Sequence, residues 1–183
     1  MSKRIIGIVG MPGSGKSVAD KVAMELGFSI IIMGDIIREE VTKRGLLPTP
    51  ENVGEIMVKI RREEGAGVVA KRCIPKIQWA LNGRIIVEGL RSLAEVYELR
   101  RSFPNFKLIA IYTSPKVRFY RIFGRNRSDD SISWQTFVKR DHRELRVGIG
   151  SVIALADYMI INEGSIQCFQ ANFKKCLRAA LVD

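Results

Sequence analysis

Gly10-Met11-Pro12-Gly13-Ser14-Gly15-Lys16-Ser17 fits the pattern GxxxxGK[ST] in full. Each residue type in it answers a physical need. The glycines let the backbone curl until successive N–H groups point inward at phosphate oxygens. A helix opening at Ser17 adds its positive N-terminal end. Lys16 can reach the β- and γ-phosphates, and the Ser17 hydroxyl can ligate Mg²⁺. The stretch therefore predicts a cradle for ATP with magnesium. Other residues placed to do chemistry are Asp35, Arg38, Glu88 and Arg91, and a basic series, Arg118, Arg121, Arg125, Arg127, Arg140, Arg143 and Arg146.

These residues need elements to hold them. Arg4–Val9, Phe28–Met33, Arg84–Glu88, Lys107–Thr113 and Asp157–Ile161 are short apolar runs that read as buried strands. Helical spacing is predicted over 17–26, 35–44, 50–64, 68–81, 92 onward, 115 onward, 134–147 and 165–181. Thr49-Pro50, Ser92-Leu-Ala-Glu95 and Ser114-Pro115 supply helix starts. Gly148-Ile-Gly150 reads as a break, and 126–133 as a polar turn. Strands alternating with helices predict an α/β three-layer fold: a five-stranded parallel sheet with helices on both faces. The candidate residues fall at strand carboxyl ends, where such sheets bind ligands. The chain divides into a core of 1–34, 83–117 and 148–183, a helical acceptor-binding region 35–82 and a lid region 118–147.

Composition narrows the classes. With 183 residues, 46% hydrophobic and 27% charged, the chain is one globular domain. The longest uncharged stretch, Ile5–Gly15, is short of the roughly 18 residues of a membrane span. The start MSKRIIGIVG lacks a signal cleavage site. Three cysteines without CxxC spacing and one histidine argue against disulfide or zinc frameworks and suit a reducing cytoplasm. The formal charge of +11 attracts anions, whether nucleotide, nucleic acid or membrane surface. Residues 116–146 contribute nine Lys+Arg against four Asp+Glu. No NKxD-like element of a GTPase follows the last strand. The strand Ile85–Glu88 ends in one carboxylate followed by glycine, unlike the carboxylate pair of ATPase motors.

The chain resembles the nucleoside-monophosphate-kinase-like group, adenylate kinase and dephospho-CoA kinase among them. Met33-Gly-Asp35-Ile-Ile-Arg38 is similar to the GD-(two residues)-R element of adenylate kinases. Glu88-Gly-Leu-Arg91 is similar to their DGFPR element, one residue shorter. Ala156–Ser165 is similar to the ADYVIDNNGS stretch of dephospho-CoA kinases, near the adenine. A resemblance to an archaeal family of adenylate-kinase-related, dephospho-CoA-kinase-like proteins spans nearly the whole chain. It rests on GMPGSGKS, GD-(two residues)-RE, G-(any)-RS and GIG-(any)-VIALADYMI-N. The sequence departs from adenylate kinases at the acid, over 49–82 and in the lid.

The resemblance implies an ATP-binding phosphotransferase in which Arg38 and Arg91 hold the acceptor. Asp35, just past a strand end, would accept the acceptor's proton or hold a water on Mg²⁺; the alternative is a plain helix N-cap. Glu88, buried at a strand end, needs a partner, which Mg²⁺ (directly or through water) or Lys16 would supply. Arg121, Arg125 and Arg140 are the lid arginines expected to stabilise the transferring phosphoryl group; part of the basic series would be a solvated face. His142 reads as a surface residue. Trp134, Phe137, Val138 and Leu145 read as a packing face.

The leading function is a small-molecule kinase with ATP and a small phosphorylated acceptor as partners, and no membrane. A nucleic-acid-associated ATPase or polynucleotide 5′-kinase is the alternative. The charge favours it, and the lack of an interleaved aromatic and basic stretch counts against it. A nucleotide-sensing regulatory ATPase is a third reading.

Overall fold

The computed structural model describes residues 3–125 and 133–182. Five strands, β1 (Arg4–Val9), β2 (Ser29–Ile32), β3 (Arg84–Glu88), β4 (Lys107–Tyr112) and β5 (Tyr158–Ile161), form one sheet in the order β2-β3-β1-β4-β5. Every pairing is parallel. The helices are α1 (Lys16–Glu25), α2 (Met33–Lys43), α3 (Pro50–Glu64), α4 (Val68–Trp79) and α5 (Leu93–Ser102). They continue with α6 (Pro115–Arg125), α7 (Trp134–Val147), α8 (Ile149–Ala154) and α9 (Ile166–Val182).

The period-two alternation of a strand explains the layering. Ile5 and Val9 of β1, with Ile85, Val87, Leu108 and Ala110, face a core that includes Ile36, Ile60, Val69, Leu99 and Val152 of the α2, α3, α4, α5 and α8 layer. Their neighbours Ile6, Ile8, Ile86, Ile109 and Ile111 face the other way, onto Ala19, Val22, Phe169, Phe173 and Leu177 of α1 and α9. Both faces of the strands are thus buried, which is why they read as continuous apolar runs.

The expected caps form. Thr49 Oγ1 accepts from Asn52 N, with Pro50 in the first turn of α3, and Ser92 and Glu95 make a reciprocal capping box on α5. Three expectations change. The break expected over Gly148–Gly150 is confined to Gly148 (φ 113°), which ends α7 and also opens the short α8. α2 starts at Met33, directly from β2, so Asp35 lies inside the first helical turn and is not its N-cap. Of the expected packing face of α7, Phe137 is buried and the Trp134 ring packs on Phe119 and Phe137, but Leu145 is 50% exposed. Asp141 and Glu144 join the buried face because each meets an arginine.

Candidate functional site

The loop Gly10–Gly15 leaves β1 and runs into α1, whose N-cap Gly15 has φ 103° and whose first turn holds no acidic residue. A side chain at Gly15 would lie 2.3 Å from Asn162 Nδ2, so both the dihedral and the space require glycine there. Asn162 is buried just past β5 and donates to Ser14 O at 2.8 Å. Thr113 Oγ1 also contacts Ser14 O, at 3.2 Å. Arg118 Nη1 donates to Pro12 O at 3.1 Å. The loop is therefore gripped from behind by side chains of three later segments. No side chain caps the α1 N-terminus, whose first backbone N–H groups carry the positive end of the helix.

Lys16 Nζ donates to Gly10 O at 2.9 Å and lies 3.8 Å from Glu88 Oε1. The register that sets Ile8 beside Glu88 brings the two elements together. Burial lowers the pKa of the Lys16 ammonium, Glu88 opposes this, and Arg91 adds to it. Asp20, one turn after Lys16 on α1, is 9% exposed and its Oδ1 has no hydrogen-bond partner. Burial first, and then the neighbouring Glu88 carboxyl, push Asp20 up to about 7; Lys16 pulls the other way.

A cavity of about 440 Å³ opens at these strand ends. Gly10, Pro12, Gly13, Lys16, Ser17, Glu88, Arg91, Arg38 and Arg140 all line it, so nine of the sequence-predicted residues converge. Met11 packs on the core and Ser14 is buried behind the loop. Asp35 is not among the cavity-lining residues: it is exposed, and its carboxylate accepts from Arg38 Nη1 at 2.5 Å. Arg121 sits behind the phosphate loop instead, 3.4 Å from both Thr113 Oγ1 and Asn162 Oδ1. The Arg125 side chain, Arg127 and most of the expected polar turn at 126–133 lie outside the described residues.

Against the nine-to-four excess of Lys+Arg over Asp+Glu in 116–146, two arginines of the site still find acidic partners on α7. Arg118 is buried, spans both oxygens of Asp141, and has its guanidinium 4.9 Å from the Phe137 ring centre. Arg91 Nε meets Glu144 at 3.3 Å. α7 places these acids one helical turn apart on its buried face, so few were enough. His142 is exposed, as expected.

Sequence reasoning missed Asp20, Arg61 and Glu144 as cavity residues, and Asn162 as a loop clamp. Arg61 donates to the fully buried Glu95 at 2.5 Å. Asp20 carried a usable signal: it lies three and four residues after Ser17 and Lys16, on their helix face. The others depend on contacts between distant segments.

A family model described as an AAA domain matches residues 9–137. A UPF0200 protein of Methanococcus maripaludis strain C7 is 45% identical over 96% of this chain and 96% of its own length. One from Pyrococcus furiosus is 47% identical over 94% of this chain and 95% of its own. Among solved structures, shikimate kinase from Acinetobacter baumannii in complex with shikimate superposes with TM-score 0.60 at 16% identity, covering 98% of this chain and 94% of that one. A sugar kinase from Janibacter sp. gives TM-score 0.56 at 17% identity, covering 96% and 95%. These likenesses show the fold, that of P-loop kinases. No helix among the described residues is long and apolar enough to cross a membrane. The relatives' identity over nearly the full chain, together with the family-model match, place this protein in the archaeal UPF0200 family.

Proposed function

We propose that the protein is an ATP-dependent phosphotransferase that moves the γ-phosphate of ATP to a small phosphorylated acceptor. The observation that carries this is the shared cavity. A phosphate cradle (Gly10–Ser17) and a second set of anion-binding groups (Arg38, Arg91, Arg140) line one space of about 440 Å³. A cradle alone would serve a switch; a second cationic group opposite it serves a second substrate.

ATP lies along the loop N–H groups, with Lys16 turning from Gly10 O to the β- and γ-phosphates. The residues fit a divalent cation: Ser17 offers a hydroxyl, Glu88 a carboxylate, and an orphaned buried oxygen, Asp20 Oδ1, lies beside them. Magnesium takes few protein oxygens and keeps waters, so a cluster of three acidic ligands is not needed, and none occurs among the described residues. When bound with ATP it supplies neutralisation of the phosphate charge.

The acceptor sits on the side lined by Ile37, Val53, Met57 and Val69, its phosphate held by Arg38 and Arg91. Asp35 sets the Arg38 fork, and Glu144 orients Arg91. In transfer, the bond from the γ-phosphorus to the β–γ bridging oxygen breaks. A bond to an acceptor oxygen forms, and that oxygen's proton leaves to solvent or a nearby carboxylate. Arg140, which lines the cavity, stabilises the charge spread over the γ-oxygens; Arg121, held behind the loop by Thr113 and Asn162, does not take the lid role expected of it. Three unpaired cysteines, Cys73, Cys168 and Cys176, accord with work in a reducing cytoplasm.

The test is an ADP-formation screen with Mg-ATP across nucleoside monophosphates, dephospho-CoA, small alcohols and 5′-hydroxyl oligonucleotides. Stimulation by a small phosphorylated compound is expected. Stimulation by oligonucleotides alone would replace this reading with the polynucleotide one.

A further inference from the structure

We propose that Asp20 is a metal-holding residue, forming with Ser17 and Glu88 a divalent-cation site that fills before any nucleotide arrives. The inference rests on the phosphotransferase reading for its purpose and on the cavity for its geometry.

On α1, Asp20 follows Ser17 by three residues and Lys16 by four, so the three side chains share one face and one opening. Glu88 lines the same opening from the end of β3. The other buried residues of α1 are Ala19, Val22 and Ala23, an ordinary apolar packing face. A carboxylate among them serves no packing purpose. Leaving it without a donor costs free energy that an apolar residue would not.

Lys16 cannot satisfy both acids. Its ammonium is committed to Gly10 O and approaches Glu88 only to 3.8 Å. No N–H or hydroxyl of the described residues donates to Asp20 Oδ1. Asp20 Oδ1 is thus unmet before any nucleotide arrives, and once triphosphate draws Lys16 away two carboxylates are left facing a polyanion. A cation of charge two, set between them and the Ser17 hydroxyl, removes both conflicts. The donor set is hydroxyl and carboxylate with no thiol or imidazole, which suits Mg²⁺ or Mn²⁺ and not zinc.

The experiment uses Mn²⁺ alone as the probe. The nucleotide-free protein is titrated and free Mn²⁺ is followed by its paramagnetic resonance signal, for wild type, Asp20→Asn and Glu88→Gln. One Mn²⁺ per wild-type chain is expected, with affinity at least tenfold weaker in each variant. Should Asp20→Asn not fold, Asp20→Ala, which only removes atoms, carries the same comparison. Wild type binding no Mn²⁺ without nucleotide, or Asp20→Asn binding it as well as wild type, overturns the proposal. A parallel titration with ATP in chelator separates the two readings. ATP binding without a Mn²⁺ site defeats only this inference; a Mn²⁺ site without ATP binding defeats the phosphotransferase reading.

Discussion

The guanidinium of Arg118 on α6 and the carboxylate of Asp141 on α7 form a buried two-pronged ion pair, and Arg118 also holds Pro12 O of the phosphate loop. One residue thus ties the loop to the two helices that flank the site. Removing one member of a buried pair strands the other charge and typically costs about 3–5 kcal/mol. Arg118→Ala should lose stability of that order in urea unfolding. The double variant Arg118→Met with Asp141→Leu should recover much of it. A loss under about 1 kcal/mol in Arg118→Ala would show the pair to be loose, as a freely opening lid requires.

Asn162 makes the second grip. Its amide donates to Ser14 O, and its backbone oxygen accepts from Thr113. Asn162→Ala leaves Ser14 O with one contact fewer and should cost about 1–3 kcal/mol. It should also weaken ATP binding measured by calorimetry, because the loop loses its preset curl. Gly15→Ala, strained at φ 103° and blocked by the same amide, should lose binding altogether. Unchanged ATP affinity in both would mean the loop holds its shape without them.

Asp20 gives the apoprotein a pH signature. Its carboxyl is raised from the reference 3.8 to about 7, by burial and then by Glu88. Between these values the native chain keeps a proton that the unfolded chain has released. Stability from this group is therefore complete below about 3.8, falls as pH rises to about 7, and is flat beyond. Urea midpoints at pH 5 and 7.5 in chelator should separate wild type from Asp20→Asn, with the wild type losing more on going to pH 7.5. Parallel profiles would contradict the shift.

The fold was legible because both sheet faces are covered: strands buried on two sides are unbroken apolar runs, and Thr49 and Ser92 announce their helices. The loop Gly10–Gly15 was legible because glycine records backbone demands directly, and Gly13 and Gly15 both take positive φ. The arginines were read less well. Sequence shows Arg118 and Arg121 three residues apart on one helix face, but not that Asp141 waits for the first and Asn162 stands near the second. Those partners are 23 and 41 residues away and arrive only through packing. Asp35 misled for a related reason: local spacing placed it after a strand, and the helix that starts two residues earlier turns it outward to Arg38.

Arg38 offers a test of whether the two proposed substrates bind separately. Its pair with Asp35 is exposed on both sides, so deletion should barely affect stability. Arg38→Ala should keep ATP affinity within about threefold, less than 1 kcal/mol, and lose most acceptor-stimulated ADP formation. A large fall in ATP affinity would move Arg38 to the nucleotide side.

Transfer to an acceptor is read by following the γ-phosphoryl group itself. ATP labelled in the γ-phosphate is incubated with the protein, Mg²⁺ and the acceptor that best stimulates ADP formation, and the products are separated. Label is expected on the acceptor in proportion to ADP formed, and none with Lys16→Ala. Label released only as inorganic phosphate, at a rate indifferent to every acceptor, would contradict it and make the protein a nucleotide-hydrolysing switch.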